Sequence, residues 1–405
     1  MKKYKLAAAL MACMIASAPF AAPKVKAEGN NNSQTIDKAQ IHSCLVLKSG
    51  VPVPSVTFNY TIQPGQAVNG TDNTHDILAG PDGAVFTSNR STTASVSFTP
   101  DDTAADGSSA PDEAFVEKAL TVDLSKVTFP TAGIYRYIIT EEPSNAAGIT
   151  SDSVSKRYLD VFVNKSVQNE EDKFVPEAFI VRLNDGLPDA EGKAVAAVKS
   201  TGFTNRYSTN NLGFAKSVTG NQASFNQYFK FTVRLIGSQS AWENNTRVKV
   251  SGEFDSQPSE NMATVYDADV MTAANDGVEY VTLSQLIDGR DFYIKNGQSV
   301  LLTGIPAGMG YEVTEAQEDY SPSVKVTGDT ECTNADSKVT DRSLTDDTTL
   351  SLLNTRNGII PSTGVSAAFA LPAAVMLAGI AGMVLLLARR VKRMKEKTSE
   401  GNGIE

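Results

Sequence analysis

Three residues of this chain combine into chemistry that none of them performs alone: Lys216, Glu315 and Asn354. Each lies in a short run in which apolar residues alternate with polar ones, the period of a half-buried strand. In LGFAKSV, Leu212, Phe214, Lys216 and Val218 share one face. In YEVTE, Tyr311, Val313 and Glu315 do, and in LSLLN, Leu350, Leu352 and Asn354 do. One amine, one carboxyl and one carboxamide therefore fall on apolar faces, where a lone polar group is costly. Three complementary groups in one stretch of chain are expected to meet. Burial lowers a lysine pKa and raises that of a carboxyl. A neutral Lys216 can then attack the Asn354 carboxamide while Glu315 moves protons and ammonia leaves, an activated lysine with a tuned acid. The product is an isopeptide bond, made once without turnover. The same residues also suit a neutral hydrogen-bonded cluster, and strand parity alone leaves both open.

The elements that must position them are strands. From about residue 41 to Arg356, short runs rich in Val, Ile, Thr, Phe and Tyr are punctuated by Gly, Pro, Asn and Asp, as in VTFNYTI (56–62), IYRYIIT (134–140), YLDVFV (158–163) and YFKFTV (228–233). No long amphipathic helix is evident. The spacing predicts an all-β chain of two tandem immunoglobulin-like β-sandwiches. An internal repeat supports two. TAGIYRYIITEE (131–142) is echoed by PAGMGYEVTEA (306–316), and GFTNRY (202–207) by LSLLNTR (350–356). The expected division is a lead-in over 28–40, a first sandwich over 41–207 and a second over 208–356.

Both ends read as processing signals. Lys2, Lys3 and Lys5 precede an apolar run and a small-residue site, the pattern of a secretory signal peptide over 1–27, cleaved after Ala27 or alternatively after Ala22. At the other end, residues 365–388 carry no charge and suffice for a transmembrane helix. The basic tail 389–405 follows, which orients it to the cytoplasm. Immediately before the span, within 357–364, stands Ile360-Pro361-Ser362-Thr363-Gly364. It resembles the LPxTG sorting signal, with Ile in place of Leu. That resemblance implies cleavage by a sortase between Thr363 and Gly364 and transfer of Thr363 to an amine. The acceptor would be the peptidoglycan cross-bridge or a lysine of another subunit, with membrane attachment only before cleavage.

The whole chain holds 36 Lys+Arg against 46 Asp+Glu. Eleven of the basic and three of the acidic residues lie in the two terminal segments. What remains is strongly acidic, which argues against nucleic acid as a partner. Cys13 leaves with the signal, and Cys44 and Cys332 fall in different sandwiches, so no disulfide is expected. His42 and His75 are the two histidines, without a Cys/His cluster, so no metal and no cofactor are expected. The acidic loop 99–113 lacks the ligand spacing of a calcium loop.

From about residue 38 to 356 the chain resembles the FctA-type major pilin family of Gram-positive bacteria, the pilin isopeptide-linkage family. The matching pieces are VPVPSVTFNYTI, GIYRYIITEE, GFTNRYSTNNLGFAKSVTGN, YFKFTV and GIPAGMGYEVTEA. The second half also resembles the CnaB-type domain. The resemblance implies a cross-link between Lys216 and Asn354 with Glu315 as proton shuttle. It places the first-sandwich equivalents at Glu141 and Asn205. There the chain departs from the pattern, because the first-strand inward face reads Ile41, Ser43, Leu45, Leu47, with Ser43 where lysine is expected. Lys38 and Lys48 have the wrong parity unless a bulge intervenes. The family also implies an acceptor lysine for the preceding subunit late in the first sandwich, for which Lys199 is the best match and Lys193 the second. The expected protein is thus a surface pilus or fimbrial subunit, not a turnover enzyme, working with a sortase and with like subunits. The alternative is a monomeric wall-anchored adhesin that holds a host ligand with its loops.

Overall fold

The computed structural model describes residues 36–358, apart from 71–74, 108–111, 169–170, 188–197, 238–239, 241–242, 254–270, 273–278, 317–318 and 329–330. The expected signal peptide, the sorting pentapeptide 360–364, the span 365–388, the tail and Lys193 lie outside these residues.

The described residues are all-β, with one α-helix of six residues, Leu283–Asp288, capped by Thr282 and Gln285, and a 3-10 turn at Glu243–Asn245. The strands form four sheets in two facing pairs. In the first pair, Lys38–Lys48 lies between Glu113–Asp123, antiparallel, and Gly202–Tyr207, parallel. Facing it, Val56–Pro64 and Lys156–Gln168 flank Gly133–Glu141. In the second pair, Thr209–Thr219 lies between Ser299–Pro306, antiparallel, and Thr348–Thr355, parallel. Facing it, Phe229–Ile236 and Lys338–Ser343 flank Gly310–Glu315. Each sandwich therefore places its first strand beside its last in parallel. The internal repeat of the sequence is a repeat of topology.

The cores follow from alternation. In Thr348–Thr355, TTLSLLNT, every second residue is buried. Ile41, Leu45, Phe58, Tyr60, Tyr137, Ile139 and Phe203 belong to one core. Leu212, Phe214, Phe229, Phe231, Val313, Leu350 and Leu352 belong to the other. The first strand begins at Lys38, inside the expected lead-in, because Ala39 is already the first of the buried alternate positions.

The two sandwiches meet directly. Tyr207 ends one strand and Thr209 begins the next, leaving only Ser208 between. The backbone N–H of Ser208 donates to the Gly148 carbonyl at 2.8 Å, and that of Ala307 donates to the Ser208 carbonyl at 3.0 Å. Gly148 has φ +73°, and a Cβ there would stand 2.5 Å from the Ser208 oxygen, so glycine is required on both counts. The Tyr207 hydroxyl donates to the Gly304 carbonyl at 3.3 Å, and the Ser55 N–H to Thr246 Oγ1 at 2.9 Å.

Candidate functional site

In the second sandwich, parallel pairing sets Lys216 opposite Leu352 and Val218 opposite Asn354. The amine and the carboxamide thus project from adjacent strands of one sheet. Glu315 comes from the facing sheet, at the end of Gly310–Glu315 and paired with Phe231. Lys216 Nζ stands 2.6 Å from Glu315 Oε1, and Asn354 Nδ2 donates to the same oxygen at 2.6 Å. All three residues are at most 3 % exposed. Phe229 and Phe231 wall the amine, with ring centres 4.4 and 5.5 Å from Nζ. Burial pulls the Lys216 pKa down to about 8, against the opposing pull of Glu315. Burial thus enlarges the neutral, nucleophilic share of this amine. Asn354 Oδ1 has no hydrogen-bond partner among the described residues. One carboxyl oxygen thus touches both the nitrogen that would attack and the nitrogen that would leave.

The first sandwich carries a second cluster at matching positions. Ser43 precedes Leu45, which pairs with Asn205, as Lys216 precedes Val218, which pairs with Asn354. Tyr60 pairs with Glu141 as Phe231 pairs with Glu315. Ser43, Glu141 and Asn205 come together through a residue that sequence reasoning missed. The Tyr60 hydroxyl donates to Glu141 Oε1 at 2.7 Å and lies 2.7 Å from Ser43 Oγ. Asn205 Nδ2 donates to Glu141 Oε1 at 2.8 Å, and Asn205 Oδ1 accepts from the Asp152 N–H at 2.9 Å. The signal for Tyr60 is present in the repeat: VTFNYTI aligned on YFKFTV puts Tyr60 at the place of Phe231. Lys38 and Lys48 are exposed, and Lys38–Lys48 pairs with Glu113–Asp123 without a register shift, so no bulge turns either lysine inward.

Burial pushes the Glu141 carboxyl above its ordinary pKa, although hydrogen bonds from Tyr60 and Asn205 pull it down. The folded state therefore holds this proton more tightly than the unfolded chain. The associated stability is fully present below about pH 4.5 and is lost as pH rises through the folded pKa. Glu141→Gln keeps the acceptor for both donors and removes the titration. The difference in melting temperature between wild type and Glu141→Gln is expected to shift in favour of the variant between pH 5 and pH 8. A difference that stays constant over that range would rule out a buried titrating Glu141.

Lys199 is exposed, and its backbone forms an isolated antiparallel bridge with Arg182, at the end of Glu171–Arg182. It lies just before the closing strand Gly202–Tyr207. The acidic loop is partly tied down: Asp102 pairs with Lys118 at 2.7 Å and Asp101 with Arg247 at 2.9 Å. His42 pairs with Glu117 at 2.9 Å on the outer face. Among the described residues no group of His, Cys, Asp or Glu is arranged to hold a metal ion, and Cys44 and Cys332 are not joined in a disulfide.

Comparison with known proteins adds a lineage to this geometry. Residues 210–356 match a family model described as a domain of unknown function (DUF7601). A pilin of Streptococcus pyogenes serotype M1 is 26% identical over 213 residues, which cover 52% of this chain and 53% of that protein. The match thus spans about half the length of this curated relative. The crystal structure of the major pilin from Streptococcus pyogenes aligns with 80% of this chain and 100% of its own, at 20% identity and a TM-score of 0.48. A structure of the major pilin protein T3.2 from Streptococcus pyogenes aligns with 80% of this chain and 99% of its own, at 20% identity and a TM-score of 0.49. Over about half its length the chain is thus similar in sequence to a streptococcal pilin.

Proposed function

We propose that this chain is a sortase-processed pilus backbone subunit of a Gram-positive surface, held together by an isopeptide bond between Lys216 and Asn354. The observation that carries the reading is Glu315 Oε1, which holds the Lys216 amine and the Asn354 carboxamide 2.6 Å away in a buried core. With the amine neutral and the carboxyl protonated, Nζ attacks Asn354 Cγ. The Nζ–Cγ bond forms and the Cγ–Nδ2 bond breaks. Glu315 donates its proton to Nδ2 and regains one from Nζ, and one ammonia leaves. The role is structural, and the reaction occurs once per molecule.

Sortase would join Thr363 to Lys199 of the next subunit, or to the wall peptide for the last one. Lys199 supports this by its exposure and by its place beside the closing strand of the first sandwich. The two sandwiches, 38–207 and 208–356, form the repeating body. Cell-wall extracts are expected to show an SDS-resistant ladder that Lys199→Ala abolishes. A single wall-linked band, indifferent to that change, would instead indicate a monomeric wall-anchored adhesin.

A further inference from the structure

We infer that the first sandwich retains a complete cross-linking centre in which only the nucleophile has been exchanged: the Tyr60 hydroxyl, braced by Ser43, stands where the Lys216 amine stands in the second. The inference rests on the proposed reaction of Lys216. The strand registers equate Ser43 with Lys216, Tyr60 with Phe231, Glu141 with Glu315 and Asn205 with Asn354. The contacts agree. In both clusters one Oε1 accepts from the asparagine Nδ2, at 2.8 Å in the first and 2.6 Å in the second. In both the same oxygen takes a second donor, at 2.7 Å from the Tyr60 hydroxyl and at 2.6 Å from Lys216 Nζ. Two substitutions relative to the second sandwich thus compensate each other. A short serine replaces the lysine, and a tyrosine replaces the phenylalanine and fills the vacated donor position.

The exchange silences the site. Attack by Tyr60 on Asn205 would make an aryl ester from an amide, which is uphill, and burial beside Glu141 pushes the phenol well above its ordinary pKa. Ser43 Oγ is engaged with the Tyr60 hydroxyl at 2.7 Å. The electrophile is nonetheless prepared. Asn205 Oδ1 accepts from the Asp152 N–H, a donor placed to steady negative charge on that oxygen. Asp152 is itself fixed by Arg157 Nη2 at 2.5 Å and the Thr204 N–H at 2.8 Å. An amine delivered from position 43 would attack Asn205 Cγ. The new N–Cγ bond would replace Cγ–Nδ2, Glu141 would pass the proton to Nδ2, and one ammonia would leave.

The test is intact mass of the mature protein. The double variant Ser43→Lys with Tyr60→Phe recreates a pairing already packed in the second sandwich. It is expected to weigh one ammonia less than its sequence mass beyond whatever wild type has lost, with a cross-linked peptide joining residue 43 to Asn205. Adding Glu141→Ala is expected to cancel that extra loss. A double variant with no extra loss overturns the inference, whether its first sandwich folds or not, since the site must admit the lysine. Tyr60→Phe alone should lower the first sandwich's melting temperature by several degrees, and an unchanged one would also overturn it. Full sequence mass in wild type would instead refute the reading of Lys216, which the extra loss in the double variant does not measure.

Discussion

Glu315→Gln is expected to restore the full sequence mass of the mature chain and to lower the melting temperature of the second sandwich by roughly 10–20 °C. Gln keeps the shape of Glu315 and can still accept from both nitrogens, but it can neither protonate the leaving Nδ2 nor receive the proton of Nζ. The proposed bond between residues 216 and 354 would close nearly the whole second sandwich into a loop. Chain entropy alone gives such a closure about 5 kcal/mol, at 2–4 °C per kcal/mol for a domain of this size. Lys216→Met separates the bond from the ion pair. On its own it would strand Glu315, a cost of about 3–5 kcal/mol, so it is combined with Glu315→Gln, and the loss that this double variant shows belongs to the bond. Mass spectrometry and calorimetry on the same samples decide the matter. A wild-type protein that already has its full sequence mass would sink the cross-link.

Asp160→Asn is expected to destabilise the first sandwich by about 3–5 kcal/mol, the usual cost of stranding buried charges. Asp160 is fully buried and pairs across the sheet with Arg136. It takes Arg136 Nε at 2.6 Å and Nη2 at 2.9 Å, and Arg182 Nε at 2.7 Å. Arg136 is 2 % exposed. A neutral amide leaves one guanidinium buried without a counter-charge and a second half-paired. On the reading above, this sandwich lacks a covalent bond to mask the loss. Thermal unfolding of the two variants should therefore move different transitions, Asp160→Asn the first sandwich and Glu315→Gln the second. An Asp160→Asn protein within about 1 kcal/mol of wild type would show that the cluster is replaceable.

How much of this was legible in the sequence depends on the range of the interaction. Alternation of period 2 put Lys216, Glu315, Asn354 and Ser43 on inward faces, and all four are buried. Pairing partners are not written in a strand, but the internal repeat supplied them, since the same Thr-Glu and Asn landmarks close both units. Tyr60 was overlooked because an inward tyrosine reads as core until its hydroxyl is given something to bond. Arg136 and Asp160 are the opposite case. In YRYII, Arg136 alternates with Tyr135 and Tyr137 and reads as an outward residue. Long-range chain covers it instead: the N–H groups of Gly65 and Gly80 both donate to the Arg136 carbonyl, and a Cβ at Gly65 would stand 2.6 Å from Arg136 Cγ. No local pattern announces a glycine placed so that a distant loop can lie flat on a side chain.

The parallel pairing of first and last strands, joined through Ser208 alone, has a mechanical meaning. If Lys199 receives the preceding subunit, tension enters the chain just before Gly202–Tyr207, crosses Ser208 and runs into Thr209–Thr219. At residue 216 it would meet the proposed bridge to Asn354 and leave along the last strand toward Thr363. The pulled path is then covalent and short, and the folded bulk of the second sandwich carries none of the load. Most of the first sandwich lies upstream of Lys199 and hangs beside the line of force. A side branch that is never stretched has no need of a covalent clasp, which gives the exchange of lysine for Ser43 and Tyr60 a physical setting.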